Sequence, residues 1–264
     1  MTKSNYMNKN LTQIIVSLKK VNKIYQINNK KNIYALKNIN LDIKKNDRIG
    51  IVGANGAGKT TLLKIISGIT KPTTGEIYRN GKIVSLMDLE AGFNPDLTGY
   101  ENIMVNALII GISKKQVRKK INTIINYASI GPYINQPFYT YSSGMKFRLA
   151  ISVALVSKAD LLIIDEIITS GDINFQNKVV KSIQKLQKNR KIGTIICSHV
   201  PETLWSLADN FFLLEKGQIS TIKKNAIKKM AIQRQLQWYK IFGTHKQKSM
   251  IVNTKISFGK KQNK

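Results

Sequence analysis

The sequence predicts an α/β domain with an inserted helical subdomain and a smaller antiparallel β subdomain. A short apolar run, Arg48–Val52, is followed by a Gly-rich loop and then by helically spaced apolar residues over Lys59–Ser67. A strand, a Gly-rich loop and a helix in this order are typical of the start of an α/β core. Between about 98 and 159 helix-like segments replace the strand pattern, which predicts the helical insert.

The other elements follow from hydrophobic periodicity and from the position of turn residues. Asn38–Ile43 alternates apolar and polar residues, as a half-buried strand does. The remaining expected elements are a strand over Ile14–Tyr25, helices over Glu101–Ile110, Ser113–Ala128 and Gly144–Val156, buried strands at Leu161–Ile164 and Thr194–Cys197 with a helix over Phe175–Lys188 between them, and a closing hairpin of Phe211–Leu214 and Gln218–Ile222.

These elements predict one domain over residues 11–222, followed by a basic C-terminal helix and tail over 223–264. No acidic residue follows Glu215, and Ala226–Phe242 has the spacing of a basic amphipathic helix. We expect this helix to pack against the domain or against a partner subunit. The alternative is contact with an anionic membrane surface.

The chain of 264 residues carries 43 Lys and Arg against 14 Asp and Glu, a net charge of +29. Such a charge fits a polyanionic partner such as nucleic acid, or a coding bias towards Lys, Asn and Ile; we favour the bias, because these residues are abundant everywhere. Cys197, the single cysteine, excludes a disulfide scaffold. No stretch approaches the roughly 20 apolar residues of a membrane helix, and the N-terminus has no apolar signal region, so we expect a cytoplasmic location.

The Gly-rich loop, Gly53-Ala-Asn-Gly-Ala-Gly-Lys-Thr60, matches the phosphate-loop pattern of nucleotide-binding proteins. Glycines let backbone N–H groups approach phosphates, and the following helix directs its positive end at the same anion. Lys59 is expected to reach the β- and γ-phosphates, and the Thr60 hydroxyl to bind Mg²⁺. The expected nucleotide contacts of this segment are Gly53, Asn55, Gly56, Ala57, Gly58, Lys59, Thr60 and Thr61.

A second motif, Leu161-Leu-Ile-Ile-Asp165-Glu166, is an apolar strand that ends in two acidic residues. The carboxyl ends of strands in open α/β sheets are where ligands bind. Asp165 is therefore predicted to hold Mg²⁺, and Glu166 to orient and deprotonate an attacking water molecule.

A third motif, Tyr141-Ser-Ser-Gly-Met145, opens the predicted helix that ends near Val156. It resembles the signature motif of the ATP-binding-cassette (ABC) ATPases, usually Leu-Ser-Gly-Gly-Gln. Ser142 and Gly144 match the small residues of that motif, while Tyr141, Ser143 and Met145 depart from it. The order of phosphate loop, helical insert, signature helix and acidic strand is also that of the family, whose core is of the P-loop NTPase, RecA-like type.

The resemblance implies further site residues. His199 stands where the family has the histidine that contacts the γ-phosphate, and Tyr25 where it has the aromatic residue that stacks on adenine. Ser170-Gly171-Asp172 resembles the loop that meets the partner subunit. The resemblance also implies ATP and Mg²⁺ as ligands and a head-to-tail homodimer in the ATP-bound state. In that dimer Ser142, Ser143 and Gly144 of one subunit cap the ATP of the other.

Several departures resemble one branch of the family, the exporters of O-antigen, capsular polysaccharide and teichoic acid. The segment Ser85–Asn102 lacks the usual Gln and instead contains acidic residues, Gly-Phe93 and the run Leu-Thr-Gly-Tyr-Glu-Asn102. Asp88 is the expected replacement for the Gln, with Glu90 as the alternative. This branch implies a separate integral-membrane permease, and a position at the cytoplasmic face of the inner membrane.

Two other functions remain open from the sequence. The chain could serve an ABC exporter of lipids or drugs, against which the missing Gln argues. It could also be a soluble nucleic-acid-associated ABC ATPase, as the charge suggests. The single cassette and the lack of a long coiled coil argue against the second function, so we expect no specific nucleic-acid partner.

Overall fold

The computed structural model describes residues 14–27, 31–87, 92–165, 172–198 and 201–230. Its strands are β1 (Ile14–Ile27), β2 (Lys31–Lys44), β3 (Arg48–Val52), β4 (Thr74–Arg79), β5 (Ile83–Ser85), β6 (Leu161–Asp165), β7 (Gly193–Cys197), β8 (Asn210–Glu215) and β9 (Gln218–Ile222). Its helices are α1 (Lys59–Ser67), α2 (Gly99–Ile109), α3 (Lys114–Ala128), α4 (Ser143–Leu155), α5 (Ile173–Arg190) and α6 (Pro201–Leu207), with two 3₁₀ turns at Gly131–Asn135 and Phe138–Thr140 and a helical segment over 224–230.

These strands form two sheets. The smaller is antiparallel, in the order β2-β1-β4. The larger has the order β5-β6-β7-β3-β8-β9 and is parallel up to the antiparallel β8–β9 hairpin at its edge. The predicted fold class, an α/β core with a helical insert and an antiparallel β subdomain, is confirmed.

Alternate residues of the interior strand β6 face two different hydrophobic cores. Leu161 and Ile163 belong to a core with α1 and the small sheet, whereas Leu162 and Ile164 belong to one with α4, α5 and α6. A strand covered on both faces needs no polar residues, which explains the uninterrupted apolar run in the sequence. The ends of this strand are therefore the places where its polar residues can reach solvent.

The first described turn of the C-terminal helix packs on the second of these cores. Ile227 is fully buried there, and the Lys224 ammonium lies 4.7 Å from the ring centroid of Trp205. Met230 on the same expected apolar face is 39% exposed. The rest of the predicted helix, 231–242, and the tail lie outside the described residues.

Helices α2 and α3 and one face of α4 surround a third core, which is that of the helical insert. Helix α2 begins with a capping box, in which Thr98 accepts from the Glu101 amide and Glu101 accepts from the Thr98 amide. The hydrogen bonds from Thr98 hold the pKa of the Glu101 carboxyl below its ordinary value. No helix in the described ranges is long and apolar enough to cross a bilayer.

One buried side chain in α2 holds the loop that precedes the helix. Asn102 is fully buried, and its Nδ2 donates to the carbonyl oxygens of Asn94, Leu97 and Thr98 at 2.9–3.1 Å. Its Oδ1 accepts from the Asn94 amide at 2.8 Å. Asn106, one turn later, donates to the Gly92 carbonyl in the same way. Asn102 and Asn106 thus hold the segment that precedes α2 against that helix.

We expect Asn102→Ala to lower the free energy of unfolding by about 3 kcal/mol, because it leaves several buried backbone groups without partners. Urea denaturation followed by circular dichroism measures this change. Asn122→Ala, an exposed change on α3, is the matched control and should shift the stability by less than about 0.5 kcal/mol. Equal effects of the two substitutions would contradict this account of the loop.

Candidate nucleotide-binding site

The phosphate loop lies at the carboxyl edge of the larger sheet, between the end of β3 and the start of α1. Strand β3 is flanked by β7 and β8. No side chain caps α1, and its first turn contains no acidic residue. The first N–H groups of the helix and its positive end are therefore available to an anion at the loop.

Lys59, the first residue of α1, folds back over this loop. It is only 7% exposed, and its Nζ donates to the carbonyl oxygens of Gly53 at 2.8 Å and Ala54 at 3.1 Å. The ammonium thus lies at the concave side of the loop. A phosphate bound there would meet both the charge of Lys59 and the loop amides.

Two positions of the loop, Gly53 and Gly58, have no room for a side chain because the backbone of another segment lies beside them. A Cβ added at Gly53 would lie 2.3 Å from the Leu214 carbonyl oxygen, and one at Gly58 would lie 2.3 Å from that of Ala35. Gly56, with φ of 78°, has open space around it and needs glycine only for its left-handed backbone.

Thr60 and Asp165 meet at the sheet edge although 105 residues separate them. The Thr60 hydroxyl donates to the Asp165 Oδ2 at 3.0 Å. A hydroxyl and a carboxylate are hard oxygen ligands of the kind that Mg²⁺ takes, and Mg²⁺ sites of nucleotide enzymes use one or two protein ligands together with phosphate oxygens. Among the described residues no group of three or more His, Cys, Asp or Glu could hold a metal ion. The Thr60–Asp165 pair fits a metal that is also bound by the phosphate oxygens of a nucleotide.

One pocket of about 440 Å³ collects most of the predicted contacts. It is lined by Tyr25, Ile33, Tyr34, Ala35, Asn55, Gly56, Gly58, Lys59, Thr60, Thr61 and Asp165. Tyr25 is 41% exposed, and the Lys23 ammonium lies 5.1 Å from the centroid of its ring. Of the other predicted loop residues, Ala57 is buried and Gly53 packs against Leu214.

The sequence analysis missed one wall of this pocket, which comes from β2. Ile33 pairs with Tyr25 across the small sheet and so lies beside it. Tyr34 is 50% exposed and Ala35 follows it. No local signal in the sequence could have identified this wall, because its position beside Tyr25 depends on the strand register.

The residues Ser142, Ser143 and Gly144 do not line this pocket. They lie at the start of α4, where the Ser142 hydroxyl caps the helix by accepting from the Met145 amide at 3.2 Å. Ser143 is exposed, and a Cβ added at Gly144 would have only the Ser142 hydroxyl within 4 Å, at 3.9 Å. This helix start therefore faces open space.

Tyr141, which departs from the usual Leu of the signature motif, is a core residue of the helical insert. It is 5% exposed, and its hydroxyl donates to the Tyr133 carbonyl oxygen. Its ring lies 5.2 Å from that of Phe138, which stacks on Phe93 at 4.9 Å. Burial raises the pKa of the Tyr141 hydroxyl. Tyr141, in place of the usual Leu, thus packs in the core of the helical insert just before the start of α4.

Other predicted residues lie outside the described residues. These are Glu166, His199, Asp88, Glu90 and the first two residues of the Ser170-Gly171-Asp172 segment. Asp172 is described and caps α5, accepting from the Phe175 amide at 2.9 Å.

Comparison with known proteins identifies the family. The family model described as ABC transporter matches residues 36–169, which include the phosphate loop, the helical insert and Asp165. The chain belongs to the ABC transporter family. The family expected from the three motifs is thereby confirmed.

Three of the curated relatives of this ABC-family chain have names that refer to a transporter or to an export system. The chain is 42% identical over 185 residues to "ABC transporter protein AbcA" of Aeromonas salmonicida, which covers 70% of this chain and 60% of that protein. It is 35% identical to "O-antigen export system ATP-binding protein RfbB" of Klebsiella pneumoniae, covering 71% of this chain and 76% of that one. It is 35% identical to "Teichoic acids export ATP-binding protein TagH" of Lactococcus lactis, covering 80% of this chain and 45% of that one. The match thus spans little more than half of the Aeromonas relative.

Solved structures agree with the fold. A dimeric ATP-binding cassette in a post-hydrolysis state, bound to ADP and phosphate, superposes with a TM-score of 0.69 at 25% identity. The superposition covers 79% of this chain and 99% of that one. The β subdomain, the parallel core and the helical insert are therefore arranged as in ABC cassettes.

We expect Gly58→Ala to be far more damaging than Gly56→Ala, although both residues have positive φ. The added methyl group at Gly58 would collide with the Ala35 backbone, whereas the one at Gly56 meets no atom and costs only about 1 kcal/mol of backbone strain. Urea denaturation and the affinity for a fluorescent ATP analogue measure the two effects. Similar affinities in the two variants would show that the close contact with β2 does not shape the loop.

Proposed function

We propose that this chain is the ATP-hydrolysing, nucleotide-binding subunit of an ABC transporter that exports a lipid-linked polysaccharide or polyol-phosphate polymer across the inner membrane. The observation that carries the hydrolytic part is the meeting of Thr60 and Asp165 in a pocket that also contains Lys59. The polymer class rests on the names of relatives at about 35% identity, which concern O-antigen and teichoic acid export.

The pocket is suited to ATP from end to end. The exposed face of the Tyr25 ring is a surface on which adenine can stack, with Ile33 beside it. The loop amides and the start of α1 bind the phosphates. Lys59, whose Nζ lies beside the loop carbonyls of Gly53 and Ala54, would contact the β- and γ-phosphate oxygens of ATP bound there.

Thr60 and Asp165 would hold Mg²⁺, which when bound neutralises charge on the phosphates. The Thr60 hydroxyl and the Asp165 carboxylate, whose oxygens lie 3.0 Å apart, would both supply oxygen ligands to it. Glu166 follows Asp165 directly and is proposed as the base that deprotonates the attacking water, with His199 as the contact to the γ-phosphate. Both roles come from the family resemblance.

The open start of α4 supports a role in dimerisation. Ser142, Ser143 and Gly144 lie away from the ATP pocket of their own chain and face open space. In the proposed head-to-tail dimer these residues cap the ATP that is bound to a second copy. Each ATP site is then formed by the phosphate loop of one chain and the start of α4 of the other. A dimeric cassette among the structural relatives supports this arrangement.

A role in transport implies a membrane-spanning partner. We propose an integral-membrane permease as that partner and the cytoplasmic face of the inner membrane as the location. The name of the Klebsiella relative, an ATP-binding protein of an export system, supports this division of labour.

The proposed metal site predicts different effects for two substitutions at one position. Thr60→Val removes the hydroxyl with little change of shape, so the Mg²⁺ concentration for half-maximal ATPase activity should rise at least about tenfold. Thr60→Ser keeps the hydroxyl and should stay near the wild type. Binding of ATP without Mg²⁺ should be similar in all three proteins. A normal Mg²⁺ requirement in Thr60→Val would exclude this residue as a ligand.

The proposed base predicts that Glu166→Gln binds ATP but loses nearly all turnover, at least about a hundredfold, and accumulates as an ATP-bound dimer. Size-exclusion chromatography with ATP and a phosphate-release assay measure both. Glu76→Gln, an exposed change on β4, is the control and should behave as the wild type. Near-normal turnover of Glu166→Gln would contradict the assignment.

The same variant tests the transport function. When Glu166→Gln with ATP is used to capture partners from detergent-solubilised membranes of the native host, we expect a polytopic permease encoded beside sugar-transferase genes. Recovery of nucleic acid or ribosomes at physiological salt, with no permease, would instead mean that the +29 charge is the functional signal.

A further inference from the structure

A cavity of about 250 Å³ lies between three helices, and it shares no lining residue with the pocket at the phosphate loop. Its walls come from the end of α3, the end of α4 and the second half of α5. Cavities of about 150 Å³ in protein interiors hold benzene, so this cavity has room for a group of roughly eight carbon atoms.

The floor of this cavity is apolar, and its two hydroxyl groups are already bound to protein atoms. Leu155 and Leu186 contribute aliphatic side chains. The Ser182 hydroxyl donates to the Lys178 carbonyl at 2.8 Å, and the Tyr127 hydroxyl lies 2.8 Å from the Ser182 oxygen. Because Ser182 already uses its proton, Tyr127 is the donor to Ser182. Neither hydroxyl has a proton left for a ligand, so the floor suits an alkyl or aryl group.

The rim of the cavity is positively charged. Lys185 and Arg190 both line it and both are exposed. The Arg190 guanidinium donates to the Ser157 carbonyl at 3.2 Å, and the Lys120 ammonium donates to the Val156 carbonyl at 2.8 Å. One such bond leaves most of the N–H donors of a guanidinium available. An anionic group at the rim would therefore meet the Lys185 ammonium and the outer edge of Arg190.

The cations around the rim lie close together and have no acidic residue on their helices. Burial first, and then the charges of Arg190 and Lys158, hold the pKa of the Lys120 ammonium below its ordinary value. No Asp or Glu occurs in α3, α4 or α5. Asp160, the acid nearest to Lys158 along the chain, accepts from the Lys82 amide. Charge complementarity therefore favours an anion at this rim.

We propose that this cavity binds an amphipathic anion, a free small molecule whose alkyl or aryl group of about eight carbons fills the cavity and whose anionic group binds Lys185 and Arg190. Basic residues are abundant throughout the chain, so charge alone would not single out this place; the apolar cavity beneath the charges does. The terminal stretches 1–13 and 231–264 contain no acidic residue, so charge disfavours them as occupants. The proposal does not depend on the proposed function.

Isothermal titration calorimetry of the full chain at physiological salt, with octanoate as the probe, tests this site. We expect saturable binding with a Kd of about 1 mM or lower. 1-Octanol lacks the charge and acetate lacks the chain, so each should bind at least about tenfold more weakly. Saturating ATP should not displace octanoate, because the two pockets share no residue.

Substitutions on α5 separate the rim from the rest of the basic surface. Lys185→Gln and Arg190→Gln each remove one rim charge and should weaken octanoate binding at least about fivefold. Lys188→Gln is the matched control, because it removes an exposed charge from the last turn of α5 that does not line the cavity. This control should bind octanoate as the wild type does.

Equal affinities for octanoate and 1-octanol, equal losses in Lys185→Gln and Lys188→Gln, or displacement of octanoate by ATP would overturn the proposal. So would a failure of octanoate to bind. If vesicles of anionic phospholipid captured the wild type but not Lys185→Gln, while octanoate did not bind, the rim would be a membrane contact instead. Absence of ATP hydrolysis would reject the proposed function and would leave the octanoate result unchanged.

Discussion

The position of the phosphate loop depends on close backbone contacts between segments far apart in sequence. The loop passes the Leu214 carbonyl of β8 at Gly53 and the Ala35 carbonyl of β2 at Gly58, with no room for a side chain at either point. A hydrogen bond from the Lys37 amide to the Gly217 carbonyl, 2.7 Å long, joins β2 to the turn between β8 and β9. The loop therefore lies where the two sheets meet. Because the small sheet is held there, Tyr25 and the β2 residues reach the pocket.

The elements that were predictable from the sequence are those whose side-chain pattern is decided locally. The β3–loop–α1 unit was found with its bounds unchanged, since a buried strand, a glycine loop and an apolar helix face each leave a clear pattern. The meeting of Thr60 with Asp165 was also expected, because parallel strands end at one edge. Strand β4 was missed: most of its residues are exposed, so it has no apolar alternation to recognise. The β2 wall of the pocket depends on register, which no local pattern reveals.

The run Leu-Thr-Gly-Tyr-Glu-Asn102 illustrates the difference between a family signature and its physical cause. In the sequence it indicates one branch of the ABC family. In the structure Thr98 and Glu101 form a capping box, and Asn102 binds the loop before it. Phe93 belongs to the Gly-Phe pair that resembles the same branch, and Tyr141 replaces the usual Leu of the signature motif. Both side chains pack in the core of the helical insert, beside the loop that precedes α2. These residues thus shape the helical insert and do not line the pocket at the phosphate loop.

The contact between Gly53 and Leu214 also bears on the order in which the protein is made. The backbone that confines the phosphate loop on one side belongs to β8, and the turn at Gly217 confines β2; both are synthesised more than 150 residues after the loop itself. A nascent chain released from the ribosome only as far as β7 contains every motif residue of the loop but not the strands that hold it. The contact that confines the loop at Gly53 can consequently form only after β8 has been synthesised.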